Sequence, residues 1–444
     1  MNFFTSAVGS KVFKRNNFKY VAIAASSIGL AAYHIRKDAI ALDIPNSTYQ
    51  HVSKNRVPPT DGDGITKRLK EFERTVTVNK DGIFRYDFNQ VASNDPCEDD
   101  HVEVIDRNID EGNWYFWGIF DGHSGWNTSL FLRQHLVPAV VRELQKCTAS
   151  YYHQNACPSS LALDKSISEA FAKVDHQIVH EHVSHVFNNP ESLQVAASLL
   201  LPALSGSCAL LTSYSAKSKS LQVACTGDSR AVLGECTPDG SWEAIPLSRD
   251  QTGMNPDEAS RLEVEHPGEE VLRNNRILGR LMPSRAFGDA RYKWSQEISE
   301  RLHREYFSAS PIPVKTPPYV TAVPEIESIT VNPKKHRFLI MASDGLWDTM
   351  SSEQAVQLVG EWADTVLGKT TNEKNTTQDD KQSWSLFKKT SKVIDDNAAT
   401  HLIRHSLGGS DQRISALLTL TYPISRRYRD DITVTVIFFD EKTL

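Results

Sequence analysis

Cysteine is scarce: six in 444 residues, at positions 97, 147, 157, 208, 225 and 236. None forms a CxxC pair, which argues against a zinc site, and a chain this long needs no disulfide framework. Cys208 and Cys225 fall in apolar, strand-like runs and read as buried free thiols. There is no CxxxxxR signature and no GxSxG elbow, so the chain displays no obvious covalent nucleophile. A basic surplus is missing as well. The net charge is -6, which excludes the electrostatic footprint of a nucleic-acid binder. No internal repeat is present, which excludes a solenoid.

Acids are absent from the first 37 residues, whereas Lys11, Lys14, Arg15, Lys19, Arg36 and Lys37 give that stretch a charge of +6 and leave -12 on the remainder. Basic residues interleaved with Ser, Asn and Phe read as a mitochondrial presequence. Tyr20 to Ile35 is a 16-residue, mostly apolar run without formal charge, short of the ~20 residues that usually span a bilayer. Residues 1–40 are therefore expected to be a targeting segment, with 20–35 an anchor or sorting segment. A cleaved matrix presequence and a secretory signal are the competing readings. Residues 41–65, with Pro45, Pro58 and Pro59, read as a linker.

Beyond the linker, strands are expected at 83–93, 101–106, 114–120, 207–212, 221–226, 231–234, 338–342 and 433–439. The segment 126–145 has helical periodicity, with Pro138 predicting a kink or a later start. A second helix carries the stripe Ile167, Ala170, Phe171, Val174 and Ile178, with Asp164 as its expected cap. Asn255-Pro256-Asp257-Glu258 opens a third, with a cap, a first-turn proline and acids at the positive end of the dipole. A polar segment, 368–382, reads as a surface insertion. Strands and helices cluster rather than alternate, which favours an α+β class.

Carboxylates recur where an apolar strand stops or a turn begins: Glu98-Asp99-Asp100, Asp121-Gly122-His123, Asp344-Gly345 and Asp430-Asp431. One Asp-Gly is an ordinary turn. Repeated acids beside core strands are harder to dismiss, because a buried carboxylate is costly without a compensating cation. With no basic partner at hand in the sequence, hard divalent cations held by oxygen ligands, Mg2+ or Mn2+, fit best. Gly122 lets the backbone come close enough to offer a carbonyl. Two cations sharing a water generate a nucleophile at neutral pH and stabilise charge on a phosphoryl group, while an acid such as His123 protonates the leaving alkoxide.

IFDGHSG, TGDSRAVLG, SRAFGD, ASDGLWD and RDDITVTV, in this order, resemble the motifs of the metal-dependent type 2C (PPM) protein serine/threonine phosphatases. The resemblance covers roughly residues 70 to 444. TGDSRAVLGECTPDGSWEAIPLSRDQ, LEVEHPGEE and RILGRLMPSRAFGDARYKWS are most similar to the pyruvate dehydrogenase phosphatase branch. It implies a domain over 66–444 built as a central β-sandwich of two antiparallel sheets flanked by helices on both sides. It implies that Asp121 bridges two metals, that Gly122 ligates through its carbonyl, and that Asp344 and Asp430 complete the site. Glu98 and Asp99 match the acidic pair that acts largely through waters, His123 the general acid, and Asp228 and Asp348 the acids of a third, weaker metal. Many members carry an arginine four residues before that Glu to grip the substrate phosphate. Asn94 stands here instead, which leaves the phosphate to metals, waters and a weaker amide donor.

The implied substrate is the phosphorylated E1α subunit of the mitochondrial pyruvate dehydrogenase complex, and docking of an E2 lipoyl domain is left open. A phosphatase with another mitochondrial client is the nearest alternative. A catalytically dead binding module is disfavoured because every acid is present. Asp431 is expected to cap rather than ligate, and Arg230 and Arg285 to make internal ion pairs or bonds to the backbone. Trp117 and Trp347 are expected in the core.

Overall fold

A computed structural model describes residues 62–443 apart from 154–155, 190–191, 307, 369–394 and 410–411. The expected targeting segment 1–40 with its apolar run 20–35, most of the linker and all of the polar insertion except Gly368 lie outside the described residues. Among the described residues, no helix is long and apolar enough to cross a membrane.

Eleven long strands carry the fold: β1 Arg74–Lys80, β2 Ile83–Val91, β3 Asp100–Asp106, β4 Trp114–Phe120, β5 Ala209–Ser215, β6 Ser220–Thr226, β7 Arg230–Cys236, β8 Trp242–Pro246, β9 Glu325–Thr330, β10 His336–Ala342 and β11 Ile432–Phe439. They form two antiparallel sheets, ordered β1-β2-β11-β10-β7-β8 and β9-β6-β5-β4-β3.

The unbroken apolar run of β4 follows from burial on both faces. Tyr115, Trp117 and Ile119 point between the sheets, where they meet Leu339 and Met341 of β10 and Ile437 of β11. Trp114, Phe116 and Phe120 point outwards, against Leu132, Leu136 and Val140 of the helix Asn127–Tyr152 and Phe171 of Ser160–His176. On the other side, Phe338, Ile340, Val434 and Val436 pack under Val356 and Val359 of Ser352–Val366 and Leu402 of Ala398–Ser406. The arrangement is thus helices, sheet, sheet, helices, an α+β fold in which the alternation of side chains along each strand fills two separate cores.

Two local expectations change. The second helix begins at Ser160, and the cap is Ser159, whose side chain accepts from the amide of Ala162. Asp164 lies within the helix and accepts from Ser328 Oγ at 2.7 Å, so a link to β9 displaces the capping role. The first long helix runs from Asn127 to Tyr152 with Pro138 inside it; neighbouring packing of Leu136, Val137 and Val140 outweighs the lost backbone bond. The Asn255 cap forms as expected, with Pro256 in the first turn.

Register brings the acids together. Asp100 faces Phe120 across β3 and β4, Arg230 faces Ala342 across β7 and β10, and Ala342 faces Val434 across β10 and β11. The ends that carry Glu98-Asp99, Asp121, Asp228, Asp344 and Asp430 therefore share one edge of the sandwich.

Candidate metal centre

Asp121 leaves β4 and Asp344 opens the short helix Asp344–Trp347, so each carboxylate emerges where a buried strand ends. The amide of Asp344 donates to Asp121 Oδ2 at 3.3 Å. Asp228, in the turn between β6 and β7, completes a triad in which one oxygen of each of Asp121, Asp228 and Asp344 lies within 4.8 Å of the others. Asp228, expected with Asp348 to serve a third metal, lies beside Asp121 and Asp344, whereas Asp348 is not part of the triad. Two glycines permit this approach. A side chain at Gly122 would collide with the carbonyl of Glu98, and one at Gly345 with that of Asp431.

Burial, first, and then mutual repulsion hold the carboxyls of Asp121, Asp344 and Asp99 well above the usual range. Burial likewise raises Asp228, against a bond from Cys208 Sγ at 3.1 Å. Asp99 Oδ2 accepts from Ser343 Oγ at 2.8 Å and Thr433 Oγ1 at 2.6 Å. Glu98 is pushed up to about 7, by burial and then by Asp431, against Arg426; its Oε1 accepts from the amide of Gly125 at 2.7 Å. Asp348 is raised by burial and then by Asp430 and Asp250, and it sits just past the short helix rather than in the triad.

Asp431 is the exception. Burial pushes its carboxyl up, but bonds from the amides of Ser93, Asn94 and Glu98 and from the Asn94 side chain hold it below the usual range. All its acceptor capacity ties the 93–98 loop to β11, a structural cap as expected. Asn94 also departs from expectation. Its side-chain nitrogen donates to Glu98 Oε2 at 3.2 Å and to Asp431 Oδ2 at 3.0 Å, so both amide hydrogens are already engaged and no donor is left for a phosphate.

Asp430 stands outside the triad. Its Oδ1 accepts from the amide of Asp431 at 2.7 Å and is ion-paired with Arg426 Nη1. This corrects the reading of acids without a basic partner: Arg426 is that partner, and its i, i+4 spacing to Asp430 was the missed signal.

His123 follows Asp121 by two residues, and its Nε2 donates to Asp289 Oδ2 at 2.6 Å. Burial disfavours the imidazolium, but Asp289 outweighs it and raises the group to about 9. A side chain at Gly206 would collide with both partners. Asp289 was not singled out from the sequence, although it is the last residue of the SRAFGD motif. Arg230 pairs with Asp250 at 2.9 Å and lies over Trp347, and Arg285 pairs with Glu258 at 2.9 Å. Both are internal pairs, as expected.

The model of the family described as Protein phosphatase 2C matches residues 86–405. The chain belongs to the protein phosphatase 2C family. This 2C chain is 40% identical over 422 residues to mitochondrial pyruvate dehydrogenase (acetyl-transferring) phosphatase 1 of Saccharomyces cerevisiae, covering 85% of the chain and 72% of that protein. It is 30% identical over 449 residues to the human mitochondrial pyruvate dehydrogenase (acetyl-transferring) phosphatase 2, covering 85% and 82%. The crystal structure of a serine-threonine phosphatase 2C from Toxoplasma gondii matches with a TM-score of 0.51 at 18% identity, over 83% of this chain and 99% of that one. The two-sheet sandwich with outer helices is thus the 2C fold. The family is metal-dependent, and the donor set here fits hard divalent cations: oxygen atoms only, half-buried and mutually repelling.

Proposed function

We propose that this chain is a mitochondrial, metal-dependent protein serine/threonine phosphatase that dephosphorylates, and so activates, the E1α subunit of pyruvate dehydrogenase. The observation that carries the reading is the half-buried triad of Asp121, Asp228 and Asp344 beside the His123–Asp289 pair. In this reading Asp121, Asp344 and Asp430, with the carbonyl of Gly122, hold two divalent cations, Mg2+ or Mn2+. Glu98 and Asp99 act through intervening waters, and Asp228 and Asp348 serve a third, weaker ion. When bound, the cations supply an activated water and offset charge growing on the phosphoryl group. Asp289 keeps a proton on His123 at neutral pH, and His123 delivers it to the departing serine oxygen. Asp99 is oriented by Ser343 and Thr433.

The client assignment rests on the names of the relatives at 40% and 30% identity. It requires a matrix address, supplied by the targeting segment 1–40, with 20–35 as the anchoring or sorting element and 41–65 as the linker to the domain 66–444. An E2 lipoyl domain is a proposed docking partner. The test is release of phosphate from phosphorylated E1α and from an unrelated phosphoprotein, with Mn2+ and with EDTA. Expected is Mn2+-dependent turnover with a marked preference for E1α. Turnover without that preference would transfer the activity to another mitochondrial client, and no metal-dependent turnover would leave a binding module.

A further inference from the structure

A phosphate dianion must enter an edge of the sandwich lined by Glu98, Asp99, Asp121, Asp228, Asp344 and Asp430. Asn94 cannot receive it, since both its amide hydrogens are engaged by Glu98 and Asp431. Arg426 is placed differently. Its side chain is 38% exposed, in the turn Ser425–Arg427 that leads into the Asp430-Asp431 loop. One nitrogen, Nη1, rests on Asp430 Oδ1, an oxygen that the amide of Asp431 already fixes. The guanidinium is near enough to Glu98, Asp431 and Asp344 to act on the charge of each. A guanidinium carries five N–H groups in a rigid fork, and among the described residues its other nitrogens have no hydrogen-bond partner.

We propose that Arg426 is a substrate-binding residue: anchored on Asp430 by Nη1, it presents its remaining N–H groups to the phosphoryl oxygens of the incoming phosphoprotein. Asp430 then has two duties on two atoms. Oδ1 positions the arginine, and Oδ2 stays free for the cation. The cation that faces the phosphate comes from the C-terminal side of the site, next to β11, rather than from the loop before β3. The inference rests on the phosphatase reading.

The test uses the purified chain loaded with Mn2+ and inorganic phosphate as the probe. Phosphate affinity is measured by calorimetry, Mn2+ affinity by titration, and KM and kcat with p-nitrophenyl phosphate. Charge-assisted, fork-type bonds to phosphate are about twice as strong as neutral ones, so Arg426→Gln should weaken phosphate binding by about tenfold or more and raise KM similarly. Its kcat should change less, and Mn2+ should bind as well or better, since a competing cation is gone. Arg426→Lys should recover part of the phosphate affinity, and Arg427→Gln none of the loss. Unchanged phosphate affinity in Arg426→Gln, with turnover retained, overturns the assignment alone. So does a parallel loss of Mn2+ and phosphate binding that lysine does not rescue, which marks a purely structural role. A wild-type chain without Mn2+-dependent turnover overturns the phosphatase reading itself.

Discussion

Two buried acidic regions of this molecule have opposite electrostatics. Glu258, whose side chain is 1% exposed, accepts from Arg285 Nε at 2.9 Å and Arg261 Nη2 at 2.8 Å, and also bonds Ser284. Burial pushes this carboxyl up, yet its partners hold it at about 2. Asp121 and Asp344, less enclosed than Glu258, are driven the other way, by burial first and then by neighbours that are themselves acids. The first region is completed by the chain's own cations. The second has more carboxylates than Arg426 can offset, and that deficit is what a foreign cation would fill.

The contrast can be broken from either side. The largest effect is expected from Asp121→Asn or Asp344→Asn, which should abolish Mn2+-dependent hydrolysis while circular dichroism stays native. Residual wild-type turnover would mean the deficit is not the catalytic feature. Next, His123→Ala should slow hydrolysis of phosphoserine proteins by roughly 10²–10⁴, the usual range for a general acid. It should slow p-nitrophenyl phosphate far less, since that leaving group needs little protonation. Equal losses on both would remove the acid role.

On the completed side, Arg285→Ala leaves Glu258 buried with Arg261 alone. It should cost about 3 kcal/mol of stability, the low end for breaking a buried pair, with metal affinity unchanged in denaturant and Mn2+ titrations. Mn2+ at a hundredfold excess over its Kd should stabilise the wild type by about 2.7 kcal/mol and Asp344→Asn much less, read as a shift in melting temperature. The smallest effect concerns acid. Because the folded Glu258 sits at about 2 against an ordinary 4.5, its contribution is complete above pH 4.5 and is lost as pH falls towards 2. Glu258→Gln should flatten the stability profile in that window.

Much of this was legible because strands declare themselves locally. WYFWGIF and ITVTVIFF are buried on both faces and read as continuous apolar runs, and an Asp after such a run stands out. Asp121 and Asp344 stand out in this way, each just past an apolar strand, whereas Asp430 precedes its strand and was marked by the turn it opens and by the resemblance. What stayed hidden depends on pairings across hundreds of residues. Asp289 meets His123 only because the fold brings residues 166 apart together. Asn94 is spent on Asp431, which is 337 positions away. Asp228 joins the triad because the turn between β6 and β7 ends at the same edge as β4 and β10. Arg426 was visible at i, i+4 from Asp430, but nothing local marks which of four consecutive basic and aromatic residues faces the acids.

Strand β11 lies in the middle of its sheet, between β2 and β10, and its Thr433 steadies Asp99 from the far end of the polypeptide. A chain from which Ile432–Phe439 is missing therefore has a half-sheet with a slot in it, not a weaker enzyme. A form truncated or nicked before this segment should be silent, because the slot it leaves lies between the two strands it joins.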